Sequence, residues 1–103
     1  MKKANLFANT LFAASMLASN SAFAVDVDRA SMLANTCAGC HGPNGKSLGP
    51  ATPSIAGTSK EYFIQTMNDF KSGDRPSTIM MRIAKGYSDE DIALMADYFS
   101  KIK

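Results

Sequence analysis

The 103-residue sequence predicts an all-α domain, and two observations carry that expectation. Apolar residues recur with a helical period in two segments: Phe63, Met67 and Phe70 at i, i+4 and i+7, and Ile92, Met95, Phe99 and Ile102 at i, i+3, i+7 and i+10. No stretch alternates apolar and polar side chains as a half-buried strand would, and no internal repeat is present.

The elements follow in order. Asp28 is placed to cap a helix over Arg29–Thr36. Residues 42–57 hold Gly42, Pro43, Gly45, Gly49, Pro50, Pro53 and Gly57, which makes this run a loop of tight turns. Thr58-x-x-Glu61 reads as a capping box opening a second helix, with Ile64 beside its apolar stripe and Gly73 as its stop. Ser88-x-x-Asp91 opens the last helix, whose first turn carries Asp89, Glu90 and Asp91 at the positive end of the helix dipole. Tyr98 adds to its apolar stripe.

Composition bounds the function. With 46% hydrophobic and 19% charged residues the chain is not of the disordered class, and its length suits one domain. Two cysteines exclude a multi-disulfide scaffold, and a net charge of +2 gives no footprint for nucleic acid. The first 24 residues read as a cleaved signal peptide. Lys2 and Lys3 form the positive n-region, Ala4–Ala18 is mostly apolar, and Ala22-Phe23-Ala24 supplies the small-x-small cleavage pattern. Polar interruptions at Asn5, Asn9, Thr10 and Ser15 argue against a permanent membrane span, and the lack of an Arg-Arg pair points to Sec-type export to the periplasm. The working domain is then residues 25–103, with nine basic and nine acidic side chains. A neutral chain of that size is marginal for a self-sufficient core, so a covalent group or metal is expected to complete it.

The run Cys37-Ala38-Gly39-Cys40-His41 supplies the candidate. Cys-x-x-Cys-His is the attachment signature of haem c: the two thiols form thioethers with the porphyrin vinyl groups, and the adjacent His is held as an axial ligand of the iron. A thioredoxin-like pair would need a βαβ context, and a zinc site would need four ligands where the chain has two Cys and one His. A plain disulfide closing so short a loop would constrain the unfolded chain little. A carbonyl of the 42–57 loop is suited to accept the proton on the second nitrogen of His41.

An electron carrier fills both axial positions, and a Met thioether is the soft ligand that raises the reduction potential. Met32 lies too close to Cys37 in sequence to reach the other haem face easily, and Met67 and Met95 fall on core stripes. Met80 and Met81 lie on a segment between two expected helices, and neither periodicity nor spacing separates them.

The residues CAGCHG (37–42), PSIAG (53–57), DFKSG (69–73) and the stretch Met80–Tyr98 resemble a small bacterial class I cytochrome c, a fold of about three to five helices around one covalent haem. More narrowly, MLANTCAGCHG (32–42), GPATPSIAG (49–57), FKSG (70–73) and STIMMRIAKGYS (77–88) are similar to the cytochrome subunit of flavocytochrome c sulfide dehydrogenase, which pairs with an FAD-bearing flavoprotein. The chain departs from the two-haem members of that family in having a single CxxCH. The resemblance implies the ligand Met eight residues before the Ser that opens the last helix. That gives Met80, with Met81 as second choice. It also implies a proline carbonyl as acceptor for His41, with Pro53 preferred over Pro50, and packing of the first helix on the last through Leu33 and Phe99.

These residues describe a one-electron carrier and no catalyst: nothing here forms an acid–base pair or an activated nucleophile. The partner implied is the FAD-containing flavoprotein. The alternatives are a free periplasmic cytochrome c serving another redox protein, and a haem enzyme or gas sensor with an open distal site. The cleavage pattern has a direct check: N-terminal sequencing of the exported protein is expected to begin at Val25, and a sequence beginning at Met1 overturns it.

Overall fold

The computed structural model describes residues 28–103. Five helices form its regular structure: α1 (Arg29–Asn35), α2 (Ala38–His41), α3 (Lys60–Ser72), α4 (Met80–Ala84) and α5 (Asp89–Ser100). A 3-10 turn, Pro43–Gly45, follows α2. No strand occurs among the described residues, and no helix there is long and apolar enough to cross a membrane. The expected signal segment lies outside the described residues.

Local chemistry sets the ends of the helices. Asp28 caps α1 by accepting from the Ser31 N–H, and the Ser88–Asp91 capping box closes in both directions at α5. Gly73, at φ 84°, stops α3 in the left-handed conformation that glycine adopts without steric cost. At the start of α3 the register is one residue later than the sequence suggests. Ser59 is the cap and accepts from Tyr62 N–H, while the Thr58 hydroxyl turns back and donates to the Ile55 carbonyl at 2.7 Å. With Ser59 in the cap position Glu61 falls one residue short of the place a capping box requires. Two further differences concern the C-terminal half. Met80 and Met81 open a short helix rather than a connecting segment, and α5 ends at Ser100, so Ile102 lies beyond the helix whose stripe it was expected to extend.

The core is small. Phe63 and Met67 of α3, Ala84 of α4, Ala34 of α1, and Ile92, Met95, Ala96 and Phe99 of α5 are its buried apolar members. α5 is the central element, packing on both α1 and α3. Phe63 and Phe99 stack with ring centroids 5.6 Å apart, within the range of favourable aromatic pairs, and Leu33 packs against this cluster. Gly45 allows the loop after α2 to lie directly on Phe99. It sits at φ 73°, and a Cβ there would come within 2.8 Å of both Phe99 Cε1 and Ile55 Cγ1. The loop's far end is tied to the same helix by Gly57 N–H donating to the Phe99 carbonyl at 2.8 Å.

Ion pairs join the helices at the surface. Arg29 of α1 meets Asp91 of α5 at 2.7 Å, and Asp97 of α5 receives both Lys60 of α3 at 2.6 Å and Lys101 at 2.7 Å. Lys101 and Lys60 together hold the Asp97 carboxyl down to about 2. Because that value lies below the ordinary carboxylate range, the contribution of Asp97 to stability is complete above about pH 4 and is lost as pH falls toward 2. Asp97→Asn is therefore expected to lower the thermal midpoint near neutrality and to flatten its fall between those pH values. Parallel melting curves for the two proteins across that window would overturn the assignment. Gly45→Ala is expected to cost about 2–4 kcal/mol, from the left-handed backbone together with overpacking against Phe99, as read by chemical denaturation of the holoprotein.

Candidate functional site

The Cys-x-x-Cys-His motif folds as a single helical turn. Cys37 caps α2, and its carbonyl accepts from the His41 N–H at 2.9 Å. Residues three and four apart lie on one side of a helix, so this turn gathers Cys37, Cys40 and His41. Gly42 ends the turn at φ 88°, where any Cβ would overlap the Lys46 carbonyl. No disulfide joins Cys37 and Cys40. Cys37 is half-buried, and burial pushes its thiol up. Cys40 is exposed.

His41 is buried, at 9% exposure, and its Nδ1 lies 2.6 Å from the Pro53 carbonyl oxygen. A carbonyl only accepts, so Nδ1 carries the proton and donates it, and Nε2 keeps its lone pair for a metal. The loop that presents Pro53 is internally fixed. Ile55 and Ala56 N–H both donate to the Gly45 carbonyl, at 2.8 and 3.1 Å, and Ser47 N–H donates to Ser54 Oγ at 2.8 Å. The Ser47 hydroxyl is within hydrogen-bond distance of the Thr52 and Gly49 carbonyls, at 2.5 and 2.7 Å. The hydrogen bond to His41 thus comes from a braced carbonyl.

These residues open onto a cavity of about 550 Å³, within the roughly 300–1,000 Å³ range of small-molecule and cofactor sites. One part of its wall is Cys37, Cys40, His41 and the loop around Pro53; another is Phe63, Met67 and Phe70 of α3 with Met80 and Ile83 of α4. α5 backs the structure and contributes nothing to the wall. Among the described residues that line it, Arg75 is the one with a charged side chain, and its guanidinium lies 5.6 Å from the centre of the Phe70 ring. The lining is otherwise apolar or neutral.

The methionines are distinguished by helix phase. Met80 and Ile83, three residues apart on α4, both line the cavity, whereas Met81, about 100° further round the helix, does not. Met81 is half-buried and its N–H donates to Ser77 Oγ at 2.9 Å. Met67 also reaches the wall, from within the core, where it is buried. Met32 is exposed, and Met95 is wholly in the core. Pro50 makes no hydrogen bond with His41.

Sequence reasoning passed over Tyr87, Thr36 and Arg75, which all line the cavity. The Thr36 hydroxyl lies 2.5 Å from that of Tyr87, a contact between residues 51 apart that no local pattern announces.

The cytochrome c family profile matches residues 27–103. The chain belongs to the cytochrome c family. This cytochrome is 47% identical over 78 residues to the cytochrome subunit of sulfide dehydrogenase from Chlorobaculum tepidum, a match covering 76% of this chain and 70% of the relative. It is 38% identical to cytochrome c-554(548) of Halomonas halodenitrificans, over 63% of this chain and 82% of the relative. It is 35% identical to a thiosulfate dehydrogenase electron acceptor of Stutzerimonas stutzeri, of which it spans about a third.

Membership makes the protein an electron carrier with covalently attached haem c, of the class I type resembling the sulfide dehydrogenase subunit. The residues present fit that group. The cavity is of cofactor size and largely apolar, two thiols and an imidazole border it from one helical turn, and the imidazole already has a hydrogen-bond acceptor for its other nitrogen.

Proposed function

We propose that this cytochrome is a single-haem, one-electron carrier of the periplasm that serves as the electron-accepting subunit of an FAD-containing sulfide dehydrogenase. Cys37 and Cys40 would hold the haem covalently, and His41 and Met80 would ligate its iron. Haem c supplies the ferric–ferrous couple; the chain positions and tunes it. The observation that carries the ligand reading is that Met80 faces the same cavity as His41 while Met81 is turned off its wall.

Each group then has a definable task. The Pro53 carbonyl holds the imidazole in one tautomer and one orientation, and by accepting the Nδ1 proton it raises the basicity of Nε2. The Met80 thioether favours the reduced state. With both ligands fixed, electron transfer requires little rearrangement of the chain. The apolar wall of Phe63, Phe70 and Ile83 keeps water from the site, and exclusion of solvent also raises the potential. Support for the sulfide dehydrogenase role comes from the 47% identity to the Chlorobaculum tepidum subunit.

The ferric holoprotein is expected to show the weak long-wavelength iron–sulfur absorption band. Met80→Ala should abolish it and lower the reduction potential, while Met81→Ala should leave both in place. Retention of the band in Met80→Ala, or its absence from the wild type with ready carbon monoxide binding, overturns the ligand set and favours an open-site haem protein. Purification from the native periplasm tests the partner. Co-elution with a chain containing FAD is the expected result, and a lone monomer that never captures such a chain would establish a free carrier instead.

A further inference from the structure

Tyr87 is held by three separate parts of the chain. Its own N–H donates to the Ala84 carbonyl at 3.2 Å, and the preceding Gly86 N–H donates to the Ile83 carbonyl at 3.0 Å, so the turn that follows α4 is hydrogen-bonded to its last residues. Its carbonyl accepts from Lys71 Nζ of α3 at 2.8 Å. Its hydroxyl meets Thr36 Oγ1 at 2.5 Å. The direction of this last bond is determined. Thr36 has one hydroxyl proton, and it goes to the Leu33 carbonyl at 2.6 Å. Tyr87 is therefore the donor to Thr36.

The two ends of this bond belong to different halves of the site. Thr36 caps the end of α1 and precedes Cys37, while Tyr87 follows the helix whose first residue is Met80. Both side chains line the cavity. At the Met80 end of α4 the cap residue Ile79 is 52% exposed and makes no side-chain capping bond, and Ser77 Oγ accepts from the Met81 N–H at 2.9 Å instead. The other end of α4 is anchored through buried Ala84 and through the bonds of Tyr87 to Lys71 and Thr36.

We propose that the Tyr87 hydroxyl is a positioning group that clasps α4 to the haem-attachment segment and so holds Met80 in place against competing ligands. The inference rests on the reading of Met80 as axial ligand. For an external base to displace Met80, α4 has to swing outward, and the Tyr87–Thr36 hydrogen bond is what such a swing breaks.

Imidazole titration of the ferric holoprotein tests this, with loss of the iron–sulfur band as readout. Tyr87→Phe and Thr36→Val are each expected to bind imidazole about fivefold more tightly, the effect of one net hydrogen bond. The double variant should bind no more tightly than either single one, because both remove the same interaction. Thr36→Ser keeps the hydroxyl and should behave as wild type. Asp97→Asn, which weakens the fold away from the cavity, should leave imidazole affinity unchanged. If the band is present in wild type and lost in Met80→Ala, yet Tyr87→Phe binds imidazole as wild type does, the clasp fails and the ligand reading stands. Additive single variants, or an equal shift in Asp97→Asn, also overturn the clasp. A band that survives Met80→Ala removes the ligand reading and the clasp with it.

Discussion

The dominant constraint on this structure is that its interior is shared between side chains and a cofactor-sized cavity. Among the described residues only eight apolar ones are buried, three of them alanines. Phe70, Ile55, Ile64, Met80 and Tyr87 are partly buried around that cluster, and most of them also line the cavity. A domain this short buries a smaller fraction of its surface than a large one does and has little stability to spare. Covalent haem turns the lining of the cavity into core, and binding that favours the folded state stabilises it further. Folding and cofactor attachment are in this sense one problem, and the same packing that stabilises the chain shields the iron from water.

The braced loop between α2 and α3 follows from that constraint. It must approach the imidazole with a carbonyl and still rest on Phe99, and it has few side chains with which to do either. Backbone hydrogen bonds converging on the Gly45 carbonyl, the Ser47 network, and the close approach permitted at Gly45 do the work that bulky residues perform elsewhere. A rigid His41 environment is also what an electron carrier requires, since a ligand that shifts between oxidation states slows transfer.

Much of this was legible in the sequence because the decisive chemistry is local. Attachment of haem needs two thiols and an imidazole within one helical turn, so CAGCH declares itself in five letters. The Ser88–Asp91 box and the Gly73 stop are likewise contained within a few residues. Thr58 and Ser59 are adjacent hydroxyls, and the choice of cap was made by the loop that draws Thr58 back to Ile55. α4 has five residues and no side-chain cap, too short for periodicity to register, yet its phase is what separates Met80 from Met81. The Tyr87–Thr36 bond spans the fold and leaves no trace in spacing. The choice of redox partner is a property of surfaces that meet another chain, and no spacing within one sequence records it.

The packing of α1 on α5 brings the two extremes of the described chain together. Joining them closes a long loop, whose entropic cost grows only slowly with its length. Phe99 of α5 is the ring on which Gly45 and Phe63 both lie. Without α5 the loop that carries Pro53 loses both the ring it rests on and the carbonyl that ties its far end. The orientation of His41 thus depends on a helix that contributes nothing to the cavity wall.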